Sequence, residues 1–322
     1  MSGCLSRRHF LTTGFGGMVA MSPIGGFITE GSQERVSTSH LYTQNVPWSN
    51  QFFVESRDGT ELAVYTGGNP QGQPLIFIHG ILQSALSWSP LLADRQLQRA
   101  FHLIAIDLRG HGQSGKPDNN GYALSQTWAD DIHSILTYLN LRRPPILVGW
   151  SYGGAIIADY IRAYGEAALS GLVLVGTSSR FDDALNDSAI IPLLPGLLST
   201  DYHENINALL AFVRLLTKTP QSYEATITTL GYNADVPRYV RQSMFLHRQD
   251  YRHDFAQVHI PTWIAHGSHD EIVPLANAYT LADIIRDAGL TTYEMISHMP
   301  FIETPQFRAD LLTWALETSR SI

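Results

Sequence analysis

Six short runs, Leu75 to Ile78, His102 to Ile106, Ile146 to Val148, Leu172 to Val175, Thr262 to Ala265 and Thr291 to Ile296, are mostly apolar and are separated by helical patterns. The helical patterns cover Trp88 to Gln98, Ser125 to Leu139, Tyr152 to Tyr164, Ala276 to Ala288 and Pro305 to Glu317. A strand reads as an unbroken apolar run when neither of its faces meets water. Strand and helix in alternation therefore predict an α/β fold, a mostly parallel sheet with helices on both faces. Two further runs, Gln51 to Ser56 and Leu62 to Thr66, flank Asp58-Gly59, a hairpin signal, and bring the predicted sheet to eight strands.

The alternation stops between Arg180 and Val258. That stretch has amphipathic helical patterns, including Asn205 to Lys218 and Pro237 to Arg248, and no convincing strand. It predicts a helical cap, residues 180–258, inserted after strand six between two parts of the core, 31–179 and 259–322. Its apolar segment Ala189 to Leu198 is broken by Pro192 and Pro195, so one continuous helix cannot run through it.

The string Ile146-Leu147-Val148-Gly149-Trp150-Ser151-Tyr152-Gly153-Gly154 places Gly-x-Ser-x-Gly between a strand and a helix. A serine there sits on a tight strand-to-helix turn, with Gly149 and Gly153 where side chains would collide across the bend. The turn lifts the Ser151 hydroxyl above the sheet and makes it a candidate nucleophile. Strand three ends in His79-Gly80-Ile81. Gly80 lets the backbone turn so that the Ile81 amide faces the same point as the Tyr152 amide, an oxyanion hole of two backbone donors. His79, beside that turn, is expected to hold the loop rather than act as a base, with Trp88 packed beneath.

Asp270 lies in the turn after strand seven, and His298 follows strand eight. Both belong to the same edge of the sheet as Ser151. The order Ser151, Asp270, His298 suits a nucleophile in the middle of such a sheet. His298 would take the serine proton and Asp270 would fix its tautomer. Glu271 is too long to replace Asp270 without displacing the ring, and Asp182 and Asp183, after strand six, are the rival acids. His266, His269 and Asp270 are too compressed within one turn to suggest a metal site.

With 29 acidic against 21 basic residues the net charge is -8, and no basic run compensates it, which argues against nucleic acid as a partner. One cysteine, Cys4, allows neither an internal disulfide nor a cysteine zinc site. At the start, Arg7-Arg8 precede a glycine-rich run from Phe10 to Met21 that is too short for a stable membrane anchor. Ser6-Arg7-Arg8-His9-Phe10-Leu11 resembles a twin-arginine export signal, so residues 1–30 are expected to direct export through that machinery, the alternative being a cytoplasmic chain with an ordinary tail.

Over residues 50 to 318 the chain resembles the α/β-hydrolase fold superfamily. The resemblance is carried by His79-Gly80, Asp107-Leu108-Arg109-Gly110-His111-Gly112-Gln113-Ser114, Gly149 to Gly154, Gly267 through Asp270, and His298. The Asp107 to Ser114 string and the helical insertion resemble the branch of esterases, cofactor-free haloperoxidase-like hydrolases, lactonases and carbon–carbon bond hydrolases. The resemblance implies Ser151 as nucleophile, Asp270 and His298 as its partners, the amides of Ile81 and Tyr152 as oxyanion donors, and no cofactor. It implies a role in shaping the fold, not in catalysis, for Asp107 to Ser114.

The expected activity is hydrolysis of small to medium, mostly apolar esters or lactones through an acyl-enzyme. Candidate pocket or cap-core residues are Ile190, Ile191, Leu193, Leu194, Leu197, Leu198, Leu209, Leu210, Phe212 and Met244. Carbon–carbon bond hydrolysis and acyl transfer use the same three residues and stay open. So does a receptor-like protein that binds a ligand with slow or no turnover. None of these patterns speaks to oligomeric state.

Overall fold

The computed structural model describes residues 47–181 and 187–320. The expected export segment and the rival acids Asp182 and Asp183 lie outside the described residues. The strands are β1 (Asn50–Glu55), β2 (Glu61–Gly68), β3 (Gln73–Ile78), β4 (Phe101–Ile106), β5 (Ile146–Trp150), β6 (Gly171–Val175), β7 (Thr262–Gly267) and β8 (Gly289–Tyr293). They form one sheet in the order β1-β2-β4-β3-β5-β6-β7-β8. β2 pairs antiparallel with β1 and β4, and all other neighbours run parallel. This is the eight-stranded, mostly parallel sheet that the alternation predicts. Every residue of β3, β5, β6 and β7 is buried, which is why those runs show no alternation.

The helices before the insertion are α1 (Ser89–Leu92), α2 (Arg95–Ala100), α3 (Ser125–Leu139) and α4 (Tyr152–Tyr164). Between β6 and β7 come α5 (Leu194–Leu197), α6 (Tyr202–Leu215), α7 (Tyr223–Ala234), α8 (Arg238–Leu246) and α9 (Arg252–Ala256). The chain closes with α10 (Ala276–Ile284), α11 (Pro300–Glu303) and α12 (Pro305–Arg320). Helices α3 and α4 pack together against β1, β3 and β5, while α12 packs on α2, which lies over β2 and β4. No helix among the described residues is long and apolar enough to cross a membrane.

Among the boundaries that differ from the sequence reading, two do so for clear local reasons. The pattern from Trp88 to Gln98 is split, because the Asp94 side chain accepts from the amides of Gln96 and Leu97 and caps a new helix. Strand eight ends before Ile296. Met295 turns to φ 59° and its amide donates to Ser268 Oγ, which takes it out of the ladder.

Behind the site, the Asp107 to Ser114 string is a knot of buried polar groups. Asp107 Oδ1 accepts from the Ala85 amide and Oδ2 from Tyr65 Oη and the Gln113 amide. The Arg109 guanidinium, wholly buried, forks onto both oxygens of Asp131 on α3 at 2.7 and 2.6 Å and reaches Asp58 in the β1–β2 turn at 2.8 Å. It ties hairpin, loop and helix together. Arg109→Met leaves the buried Asp131 carboxylate uncompensated and should cost about 3–5 kcal/mol, read as a fall in the urea midpoint. A loss below about 1 kcal/mol, the range of an exposed pair, would show that the knot is not needed for stability.

Candidate active site

Trp150 ends β5, and Ser151 turns the chain into α4 with φ 54° and ψ −119°. This backbone is costly for a residue with a side chain and persists only where its surroundings hold it. Here the Ser151 amide donates to Val175 O at 2.8 Å, and Thr177 Oγ1 donates to Ser151 O at 2.7 Å. The two glycines of the motif have no room for a side chain. A Cβ on Gly153 would lie 2.3 Å from Ile78 O, and one on Gly149 2.6 Å from Ile157 Cδ1. Thr177 was not singled out in the sequence; its position just past β6, beside the elbow in space, is the only signal.

His298 Nδ1–H donates to Asp270 Oδ2 at 2.7 Å, with both side chains almost fully buried. The second carboxylate oxygen, Oδ1, accepts from the amides of Ile272 and Val273 at 2.9 and 2.8 Å. Asp270 is thereby fixed in orientation, and His298 is left with Nε2 as the nitrogen that can receive a proton. The pair sits over Gly176, where a Cβ would be 3.2 Å from His298 Nδ1 and 3.3 Å from Asp270 Oδ2. Ser151 Oγ and His298 Nε2 are not hydrogen-bonded to each other in this conformation. The two residues are linked through Trp150, whose Nε1–H donates 2.8 Å to the His298 carbonyl oxygen.

The remaining titratable groups of these turns are committed elsewhere. His266 donates through Nε2 to Val273 O at 2.8 Å and backs Asp270, with Nε2 3.4 Å from its Oδ2, while burial lowers its pKa and keeps the ring neutral. His269 Nδ1 pairs with Ser268 Oγ, and Glu271 is exposed. Among the described residues, no three His, Cys, Asp or Glu side chains gather as a metal set would.

His79 is fully buried, and burial together with nearby His111 puts its pKa well below the usual histidine range. Its Nδ1–H donates to Gly80 O, and its Nε2 accepts from the Leu108 amide at 3.0 Å. His111 answers from the other side: its Nδ1–H donates to Arg109 O, and its Nε2 accepts from the Leu82 amide at 3.3 Å. Each imidazole thus braces the loop to which the other belongs. Trp88 packs among Phe77, Trp150 and Phe301.

Ser151 opens on a cavity of about 40 Å³ walled by Ile81, Tyr152, Phe181, Ile190, Met244, Phe245, His247, Ile272 and Val273. Ile81 and Tyr152, the expected oxyanion residues, both border it. Tyr152 opens α4, so its amide has no acceptor within the helix. Of the cap residues singled out in the sequence, Ile190 and Met244 reach this cavity, whereas Leu197, Leu209 and Phe212 are buried in the main core. Phe181, Phe245 and His247 were missed, since helical periodicity marks a buried face without saying what it faces.

Residues 73–305 match the family model described as alpha/beta hydrolase fold. The chain is 30% identical over 271 residues to a non-heme chloroperoxidase of Kitasatospora aureofaciens, covering 80% of this chain and 96% of that one. It is 28% identical over 287 residues to a non-heme haloperoxidase of Rhodococcus erythropolis, covering 81% of this chain and 98% of that one. Among solved structures, an esterase from Rhodococcus sp. ECU1013 superposes with a TM-score of 0.79 at 32% identity, over 84% of this chain and 100% of that chain. The sheet order, the strained serine between β5 and α4 and the match across most of its length lead to one statement: the chain belongs to the alpha/beta hydrolase fold family.

Proposed function

We propose that this protein is a serine hydrolase that cleaves small, apolar carboxylic esters or lactones through an acyl-enzyme on Ser151. The observation that carries the reading is the buried 2.7 Å Asp270–His298 pair beside a serine held at φ 54° over an apolar cavity. The similarity to the Rhodococcus esterase supports the same reaction class.

With Nδ1 donating to Asp270, His298 Nε2 accepts the proton of Ser151 as Oγ adds to the ester carbonyl carbon. Hydrogen bonds of this kind are often open in a free enzyme and close when substrate is bound. The oxygen of the tetrahedral adduct takes up negative charge facing the Ile81 and Tyr152 amides. His298 returns the proton to the departing alkoxide, leaving the acyl group on Ser151. Water then adds by the same sequence and releases the acid.

The cavity supports the small end of the small-to-medium range expected from the sequence. About 40 Å³ is room for only a few heavy atoms. Along a p-nitrophenyl ester series, kcat/KM should rise about fourfold per added CH₂, the equivalent of about 0.8 kcal/mol, until the cavity is full. The optimum is expected at a short acyl chain, with a decline beyond it. The assay also includes an amide and a β-diketone of matched acyl group. A β-diketone cleaved a hundredfold faster than every ester would overturn the ester reading in favour of carbon–carbon hydrolysis.

A further inference from the structure

A second buried acid–imidazole–hydroxyl series borders the cavity, and nothing in the chemistry above uses it. Tyr152 and Asp159 stand seven residues apart on α4, so two helical turns bring them to one face. His247, just after α8 in the inserted segment, lies between them. Tyr152 Oη is 2.6 Å from His247 Nδ1, and His247 Nε2 is 3.3 Å from Asp159 Oδ2 and 3.2 Å from Ser125 Oγ. The side chains of His247 and Asp159 have no solvent exposure. Asp159 Oδ1 accepts from Tyr251 Oη at 2.9 Å, while Oδ2 has no aligned hydrogen bond and lies 3.3 Å from the imidazole.

These contacts set the direction of each bond. A buried carboxylate oxygen is costly unless a donor lies near it, so the imidazole proton belongs on Nε2, whose neighbours are Asp159 Oδ2, Ser125 Oγ and, at 3.4 Å, Tyr251 Oη. Nδ1 is then the acceptor. Burial and the neighbouring Asp159 raise the Tyr152 pKa well above its ordinary value, so its hydroxyl keeps its proton and donates. Trp128 and Phe181 meet the phenol ring edge-on at 5.8 Å each, which leaves the hydroxyl bond to fix its remaining freedom.

We propose that His247, oriented by Asp159, is a positioning residue that holds the Tyr152 side chain and thereby aims the Tyr152 amide at the oxyanion formed above Ser151. The inference rests on the hydrolase reading. Tyr152 directly follows the strained serine and opens the helix, so a displacement of the residue that re-sites its hydroxyl also carries its amide. If the bond to His247 is removed, the buried hydroxyl must seek another partner, and the amide shifts with it. An oxyanion donor works only when it is already in place, and the complete loss of one costs about 10²–10³ in kcat.

The test compares His247→Phe, His247→Asn, Tyr152→Phe and the double variant Tyr152→Phe/His247→Phe with the wild type on a short p-nitrophenyl ester. All rates are expressed per site titrated with a fluorophosphonate, so misfolded protein does not count. His247→Phe is expected to lower kcat about 10- to 100-fold, short of complete donor loss, with KM changed less than about threefold. His247→Asn sets a carbonyl oxygen near the place of Nδ1 and should restore kcat to within a few-fold of wild type. The double variant should be no slower than the slower single variant, since both remove one bond. Tyr152→Phe, which keeps the ring contacts, carries the test should His247→Phe not fold.

His247→Phe and Tyr152→Phe variants whose kcat per titrated site both stay within twofold of wild type would overturn the proposal. So would effects that multiply in the double variant. A wild-type protein that neither takes the label nor turns over esters overturns the hydrolase reading itself, and this inference with it.

Discussion

Ser151→Ala is expected to lower kcat for ester hydrolysis by about 10⁶ while leaving the fold intact. On the proposed mechanism the hydroxyl carries the acyl intermediate and supplies the proton that His298 accepts. If the Ile81 and Tyr152 amides are the oxyanion donors proposed above, what survives is their help to direct attack by water, which in a comparable site keeps about 10³–10⁴ over the uncatalysed rate. Stability should hardly change. Alanine keeps the Cβ, the Ser151 amide still donates to Val175, and Thr177 still donates to the residue's carbonyl oxygen. Mass spectrometry after fluorophosphonate treatment should place one adduct on Ser151 in the wild type and none in the variant. Undiminished labelling of the variant, or activity above about a thousandth of wild type, would remove Ser151 from the role.

The second large effect is expected for Asp270→Asn, and the geometry supplies the reason. Asp270 Oδ1 accepts from two amides, Ile272 and Val273, so the single oxygen of asparagine must stay there. The amide nitrogen then takes the place of Oδ2 and points its hydrogens at His298 Nδ1, which sits 2.7 Å from that oxygen in the native protein. His298 is forced to accept on Nδ1 and carry its proton on Nε2, where it cannot take one from Ser151. The loss in kcat should be about 10⁴, with the melting temperature near that of the wild type. A kcat within about tenfold of wild type would mean that Asp270 does not set the imidazole tautomer.

Much of the fold could be read locally. Burial on both faces leaves strands such as Leu75 to Ile78 uniformly apolar, and that alone separates a parallel sheet from a half-exposed one. The elbow was legible because Gly149, Ser151 and Gly153 lie close in sequence and meet one steric demand. Asp270 and His298 could be placed because each follows a strand, and parallel strands bring such turns to one edge. Long-range partners left no comparable trace. Thr177 supports Ser151 from across a strand boundary, and His247 meets Tyr152 from 95 residues away, so no local period could announce either contact. The helix break at Asp94 is different: its side chain caps the amides of Gln96 and Leu97, a local signal that outweighs the continuity of the amphipathic pattern.

The crossed pair His79 and His111 makes acid a specific solvent for this protein's weak point. Each ring uses an unprotonated Nε2 to receive a backbone amide, so adding a proton sets two donors against each other. Burial lowers the His111 pKa to about 4, whereas an unfolded chain would protonate the same ring at its ordinary value of 6.5. Between these values the unfolded state binds the extra proton and the native state does not, so stability drains away as pH falls from about 6.5 to about 4. The urea midpoint should slide across that window, and a flat midpoint would show that the rings bear no such strain. Because the brace is reciprocal, the Gly80–Leu82 turn and the Leu108–His111 turn should let go in a single step. Acid would then loosen the turn that carries Ile81 to the cavity before the parallel strands beneath it come apart.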